Sequence, residues 1–143
     1  MNFLGIMYEY GEGTEQDYSL AFKWYEKSAE LGNSHAMKSV GDMHRKGEGT
    51  DKDESLAFKW YEKSAELGNS HAMWALGIMY QEGEGTEQDY SLAIKWYEKS
   101  AELGDSDAMW ALGLMHRKGE GPAKDESLAI KWYEESAELG NSD

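Results

Sequence analysis

The 143-residue chain is 40% hydrophobic and 13% aromatic, which is enough apolar material for the core of a folded domain. Its 28 acidic residues outnumber its 14 lysines and arginines, and the resulting formal net charge of -14 disfavours nucleic acid and anionic membrane surfaces as partners. Cysteine is absent, which excludes disulfides and thiolate chemistry. Without an apolar run of roughly 18 residues or a leader-like start, the sequence favours a cytoplasmic location.

A 36-residue repeat organises the chain. We interpret its four copies as residues 1–32, 33–68, 69–104 and 105–143, with the first helix of the first copy truncated. Each copy contains a Gly-x-Gly pair and, later, a single glycine beside Asn or Asp, and these loop signals divide it into two segments. The residues that recur in step include Gly5, Gly41, Gly77 and Gly113, and Trp24, Trp60, Trp96 and Trp132.

The segment from about Asp53 to Leu67 is predicted to form a helix, which we call helix B. Asp53 can accept backbone amide hydrogen bonds at its start, and Gly68 supplies the left-handed residue that commonly follows a helix. Lysines and glutamates cover its outer side. Its predicted core stripe consists of Leu56, Trp60, Tyr61, Ser64 and Leu67.

The next segment, from about Ser70 to Gln81, is predicted to form the other helix of the repeat, helix A. Gly77 is expected to let the two helices approach closely. Alternation with a period of two, which half-buried strands would require, is missing, so the sequence predicts an all-α fold in which the hairpins stack on one another. The helix A stripe expected to meet helix B consists of Ala72, Leu76, Met79 and Tyr80.

The third copy, AMWALGIMYQEGEGTEQDYSLAIKWYEKSAELG, resembles a Sel1-like repeat, a relative of the tetratricopeptide repeat. The resemblance covers the whole chain and implies a right-handed superhelical α-solenoid of four helix-turn-helix repeats. It also implies an adaptor or scaffold that binds a protein or peptide partner. His44 and His116 depart from the pattern, because Tyr8 and Tyr80 stand there in the other copies. The residues that carry the resemblance are Leu76, Gly77, Tyr80, Gly83, Gly85, Asp89, Ala93, Trp96, Tyr97, Ala101 and Gly104.

Several of the differences between the copies fall on one stripe of helix A. Copies one and three share GEGTEQDYSLA and copies two and four share MHRKGEG, so the chain is interpreted as a duplicated pair of repeats. The halves differ at positions such as Asn2, which corresponds to Trp74. By resemblance to tetratricopeptide arrays, this stripe is expected to line a concave groove. The predicted partner-binding residues are Ile6, Tyr10, His35, Lys38, Arg45, His71, Trp74, Ile78, Gln81, Glu82, Trp110, Leu114, Arg117 and Lys118.

Two subsets of these residues have specific expected roles. The cationic residues Arg45 and Arg117, each with the lysine that follows it (Lys46 and Lys118), would hold carboxylates of the partner or, alternatively, would complete the dipole at the end of helix A. The apolar members are expected to be exposed side chains that a partner covers, although the tryptophans could instead pack into a neighbouring repeat. These apolar members are Trp74, Ile78, Trp110 and Leu114.

No catalytic, metal or cofactor site is predicted. His44 and His116 are expected to be packed, hydrogen-bonded replacements for tyrosine, because no nucleophile and orienting residue share a suitable spacing with them. His35 and His71 lie a full repeat apart, and the acidic loops lack the residue order of a calcium loop. The leading hypothesis is a non-catalytic protein-binding scaffold. Two alternatives stay open: a self-assembling or engineered repeat array that stacks end to end, and a hydrolase.

Overall fold

The computed structural model describes residues 2–121 and 124–140, which form eight α-helices and no strand. Odd-numbered helices correspond to predicted helix A and even-numbered helices to predicted helix B. The helices predicted at 53–67 and 70–81 are confirmed to within one residue at each end. The helices are α1 (Asn2–Tyr10), α2 (Tyr18–Glu30), α3 (Ser34–Lys46), α4 (Glu54–Glu66), α5 (Ser70–Glu82), α6 (Tyr90–Glu102), α7 (Ser106–Lys118) and α8 (Glu126–Glu138).

The helices fall into two compact units, Met1–Ala72 and Met73–Asp143. In unit 1, α1 packs on α2, α2 on α3, and α3 on α4. In unit 2, α6 packs on α7, and α7 on α8. The first residues of α5 belong to unit 1 and the rest of that helix to unit 2. Each unit therefore contains helices of both types.

An aspartate caps every helix of type B that the structure describes. Asp53 Oδ1 accepts a hydrogen bond of 3.0 Å from the backbone amide of Leu56, as predicted. The equivalent bonds at α2, α6 and α8 measure 3.1, 3.1 and 3.0 Å. Gly68 follows α4 with a φ of +91°, and its amide donates to the carbonyl of Ala65 at 2.9 Å. Both predicted end signals of this helix are confirmed.

Replacing Asp53 with alanine is expected to lower the free energy of unfolding by about 1 kcal/mol, because the amide of Leu56 loses its acceptor. Chemical denaturation followed by circular dichroism measures this loss. The matched control is Asp51→Ala, because Asp51 is an exposed carboxylate in the same turn that does not cap the helix. Equal losses in the two variants would contradict the capping role.

The buried face of helix B differs from the predicted stripe. Leu56 is 39% exposed and Leu67 is 58% exposed, so their assignment to the core is wrong. Small residues on the neighbouring face let α3 and α4 approach closely, and the hydroxyl of Ser64 donates to the carbonyl of Ser34 at 2.7 Å. The leucines lie beside this contact instead of in it. The buried residues of α4 are Ala57, Tyr61, Ser64 and Ala65.

The predicted stripe of helix A is largely confirmed, and only Tyr80 within it is half-buried. Gly77 is a point of close approach, as predicted, because a β-carbon at this position would overlap the ring of Tyr97 on α6. The same relation joins Gly41 on α3 to Tyr61 on α4, where the β-carbon would lie 2.7 Å from the ring. The fully buried members of the stripe are Ala72, Leu76 and Met79.

The two units use the same core positions, 72 residues apart. Alanines and a tyrosine of α2 or α6 pack against alanine, methionine and branched aliphatic residues of α3 or α7. The tyrosine fills the space that the helix A glycine leaves open. The core of unit 1 consists of Ala21, Tyr25, Ala29, Ala36, Met37, Val40 and Met43, and that of unit 2 of Ala93, Tyr97, Ala101, Ala108, Met109, Leu112 and Met115.

Candidate functional site

An open cleft of about 540 Å³ runs along the helix A side of unit 1. It lies between residues of α1 and α3, with the buried Tyr25 of α2 and the first part of α5 completing its lining. The contributing positions on α3 recur every three to four residues, so they share one face of that helix. The lining residues are Asn2, Ile6, Glu9, Tyr10, Tyr25, His35, Lys38, Ser39, Asp42, Lys46, Asn69 and His71.

The two carboxylates of the cleft accept hydrogen bonds from buried tyrosines beneath them. Tyr25 Oη donates to Glu9 Oε1 at 2.6 Å, and Tyr61 Oη donates to Asp42 Oδ1 at 2.6 Å. The other oxygen of Asp42 accepts a hydrogen bond of 2.8 Å from Lys38 Nζ. Burial raises the pKa of both tyrosines above the ordinary value, and the neighbouring carboxylates raise it further. Both tyrosines therefore stay protonated donors that hold the carboxylates in place.

One end of the cleft lies where α3 and α5 begin. The buried Asn69 caps α5, because its Oδ1 accepts a hydrogen bond of 3.0 Å from the amide of Ala72. Its Nδ2 therefore faces His35 Nδ1 at 3.3 Å, and since an amide nitrogen can only donate, Nδ1 of the imidazole is the acceptor. With Nδ1 as the acceptor, the N–H of the His35 ring is on Nε2.

The other end of the cleft lies where α1 and α3 end. Tyr10, the last residue of α1, is 65% exposed. The negative charge of Glu9 is the main cause that raises the pKa of Tyr10, and burial and the carboxylates of Asp42, Glu12 and Glu48 add to it. This end therefore combines an exposed aromatic ring with a negative potential.

The cleft brings together some of the residues predicted to bind a partner and adds others. It gathers Ile6, Tyr10, His35, Lys38 and His71 from the predicted set. Whether these residues bind a partner stays a prediction. A usable signal existed for four of the missed lining residues, because the first half of the chain differs from the second at each of them. These four are Asn2, Glu9, Ser39 and Asp42, which correspond to Trp74, Gln81, Ala111 and Leu114.

In unit 2, the apolar members of the predicted set are half-buried, which corrects the expectation that they are exposed. Trp74 and Ile78 pack against the core cluster of α6 and α7. The ring of Trp110 lies 4.6 Å from that of Tyr133, centroid to centroid, and Leu114 is also half-buried. Large apolar side chains lower their free energy by lying flat on neighbouring helices, so much of their surface is covered within unit 2.

The polar members of the predicted set have mixed surroundings. Gln81 Oε1 accepts a hydrogen bond of 2.6 Å from Tyr97 Oη and so repeats the contact between Glu9 and Tyr25, while Glu82 is exposed. The cationic residues lie in the last turns of α3 and α7, where they also complement the helix dipole. Arg45 lies beside Tyr61 outside the cleft lining, whereas Arg117 and Lys118 are exposed.

The two histidines that replace tyrosine are buried, as expected for packed residues. The ring of His44 meets that of Phe22 edge-on at 5.2 Å. The sequence predicted that both rings are hydrogen-bonded. In each of the two histidines, however, Nδ1 has no hydrogen-bond partner within the described part of the chain. No group of three metal-ligating side chains occurs among residues 2–121 and 124–140, and none of the helices described there is long and apolar enough to span a membrane.

Comparison with known proteins gives a family for this architecture. The sequence profile of the Sel1 repeat matches residues 1–33, 34–69, 70–105 and 106–141. The chain belongs to the Sel1 repeat family. This membership confirms the predicted all-α repeat fold. A comparison with curated protein sequences gave no significant match.

Three solved structures illustrate the similarity of this chain to known proteins. A Sel1 repeat protein from Oxalobacter formigenes is 37% identical with a TM-score of 0.93, over 97% of this chain and 57% of that one. A protective antigen of uropathogenic Escherichia coli with an SLR fold is 37% identical with a TM-score of 0.87, over 99% of this chain and 30% of that one. The cysteine-rich protein B of Helicobacter pylori is 26% identical with a TM-score of 0.68, over 87% and 90% of the two chains.

The chain thus spans just over half of the first relative and under a third of the second. It also lacks the cysteines for which the Helicobacter pylori relative is named. Sel1 repeats generally mediate interactions between proteins and typically form non-catalytic scaffolds.

Proposed function

We propose that this Sel1 repeat chain is a non-catalytic scaffold that binds a segment of a partner protein on its helix A faces, in unit 1 along the cleft between α1 and α3. The observation that carries the proposal is the open cleft of about 540 Å³, whose volume lies in the range of protein ligand sites. A cytoplasmic location stays our prediction from the sequence.

The pattern of differences between the units supports this assignment. The core positions keep the same or similar residues 72 positions apart, because packing constrains them. The cleft positions change in size and charge: His35 corresponds to Asp107, Lys38 to Trp110, and Tyr10 to Glu82. An exposed tyrosine is seldom required on a helix face that only contacts solvent. Tyrosine is, however, enriched among the residues that contribute most of the binding energy of protein interfaces. Each unit therefore presents its own recognition surface on a common frame.

Tyr10→Ala together with His35→Ala is expected to reduce capture of the partner from a lysate of the native host by about tenfold, the effect of losing one strong interface side chain. Quantitative mass spectrometry of the proteins retained by wild type and variant measures the loss. Circular dichroism verifies that the variant remains folded.

The matched control is Leu31→Ala, because Leu31 is an exposed apolar residue of unit 1 that does not line the cleft. A protein retained equally by wild type, the cleft variant and the control would contradict binding in this cleft. Charge reversal at Arg117 and Lys118 tests the unit 2 part of the prediction, and unchanged capture would remove those two residues from the site.

Self-association is the second candidate, favoured by exposed apolar residues on α1. Phe3 is 69% and Leu4 is 37% exposed, whereas Val40 and Leu112, which correspond to Leu4, are fully buried. A second copy of the chain could cover this face. A mass from light scattering that rises with protein concentration would support this candidate, and a constant monomer mass would contradict it.

A further inference from the structure

We propose that the cleft of unit 1 takes an extended partner segment that carries one basic side chain and, about three residues away, one carboxylate. This inference rests on the proposed function and names the chemistry of the partner. The basic group would lie on Tyr10 beside Glu9 and Asp42, and the carboxylate would lie at the end formed by His35 and Lys38.

The Tyr10 end fits a cation for three reasons. First, the ring of Tyr10 is exposed and can bind an ammonium or guanidinium group on its face. Second, α1 and α3 both end here, and the C-terminal ends of helices carry partial negative charge. Third, carboxylates raise the pKa of the Tyr10 hydroxyl, with Glu9 first, although Lys46 also lines this cleft. A basic side chain would gain from each of these features.

Tyr10 occupies a position at which the fold does not require an aromatic ring. The corresponding residues of the other copies are Lys46, Glu82 and Lys118, which are charged and exposed. A position that accepts lysine and glutamate does not need an aromatic ring for packing. The ring at Tyr10 is therefore available for recognition.

The opposite end fits a carboxylate. Because Asn69 donates to Nδ1 of His35, the remaining proton of this imidazole, on Nε2, is available to an acceptor. Lys38 Nζ uses one of its protons on Asp42 and keeps two others. The N-terminal ends of α3 and α5 add partial positive charge on the same side. The imidazole N–H of His35 and the two helix N-termini thus lie at the end of the cleft away from Tyr10, whereas Lys38 reaches from there to Asp42 and Lys46 lies at the Tyr10 end.

The separation of His35 from the carboxylate of Asp42 sets the spacing in the partner. His35 and Asp42 are seven positions apart on α3, which is about 10 Å at the rise of an α-helix. An extended segment covers this distance with about three residues. Ile6 on α1 also lines the cleft and would meet an apolar residue of the segment. The formal net charge of -14 of the whole chain also favours a basic group in the partner, because opposite charges attract.

The chain itself supplies substitutions that keep the fold and change each end. Glu9→Gln reproduces the pair formed by Gln81 and Tyr97, and His35→Asp reproduces Asp107 at the same position of α7. Tyr10→Ala removes an exposed ring. Leu31→Ala again serves as the control outside the cleft. Melting curves of all four variants verify that they remain folded.

The test is selection of peptides from a displayed library of random dodecapeptides on the wild type and on each variant. Wild type and Leu31→Ala are expected to enrich pairs of Lys or Arg with Asp or Glu at a spacing of three or four, in either order, by at least about fivefold over the unselected library. Combined Glu9→Gln and Tyr10→Ala should lose the basic preference and keep the acidic one. His35→Asp should lose the preference for an acidic residue and keep the preference for a basic one.

A wild-type selection without such pairs overturns the inference, whether or not other peptides are enriched. Enriched peptides that lose binding in the cleft variants but carry no basic residue would overturn it while supporting the cleft as the binding site. Pairs that the control and the cleft variants enrich equally would count against both the inference and the cleft.

Discussion

Gly49→Ala is expected to lower the free energy of unfolding by about 3 kcal/mol, the combined cost of a strained backbone and a steric clash. Gly49 has a φ of +75°, in the left-handed region that disfavours residues with a β-carbon. A β-carbon here would also overlap the carbonyl oxygen of Tyr18 and lie 3.0 Å from Met43 Cε. The methionine can move aside. The carbonyl cannot, because it belongs to the first turn of α2, so the turn and the helix would separate.

Gly68→Ala is the matched control for this variant. Gly68 has a φ of +91°, but a β-carbon there would meet nothing within 4 Å. We expect this substitution to cost about 1 kcal/mol, for the backbone alone. Denaturation midpoints of both variants, followed by circular dichroism, separate the two contributions. If the midpoints fell equally, the contact between the turn and α2 would carry no steric constraint.

Raising the pH above about 10 is expected to destabilise unit 1 progressively, because Tyr25 and Tyr61 are held protonated in the folded state. Burial is the main cause that raises the pKa of both, and the accepting carboxylates Glu9 and Asp42 add to it. A group whose folded pKa is raised contributes stability that is complete below its unfolded pKa and is lost above it. Each tyrosine should remove about 1.4 kcal/mol per pH unit while only the unfolded chain ionises.

The variant Tyr25→Phe, Tyr61→Phe tests this linkage. It should be less stable than wild type at neutral pH, by about 1 kcal/mol for each lost hydrogen bond, and less sensitive to alkali. Denaturation midpoints between neutral pH and the alkaline transition measure both effects. We expect these tyrosines to ionise only when the protein unfolds. If tyrosinate absorbance at their positions rises with pH while the helical circular dichroism signal is unchanged, this expectation is contradicted.

Local chemistry is the reason that much of the fold could be predicted. The cap formed by Asp53 and the positive φ of Gly68 depend on residues within a few positions of each helix end, and both are present as expected. The contact between Gly77 and Tyr97 was anticipated as close approach, because a glycine weakens a helix interior and recurs there when a neighbouring side chain needs the space of its missing β-carbon. These features repeat, so each copy of the repeat supports the assignment made for the others.

The errors concern the direction in which apolar side chains face. Leu56 and Leu67 were assigned to the core because they are large and apolar, yet the contact between α3 and α4 uses Ala57 and Ser64, which permit closer packing. Trp74 was expected to be exposed, but it packs within unit 2. Helical periodicity limits which residues share a face without determining which face meets the neighbouring helix.

The sequence by itself determined the 36-residue repeat, two helices in each copy, their caps and their family, because these properties depend on spacing and on contacts within a few residues. Only the tertiary structure decided which stripe of helix B is buried. It alone brought Glu9, Asp42 and Asn69 together with Tyr10 around one cleft. These residues come from different repeats, and their meeting depends on how one helix packs against another, which no local pattern specifies.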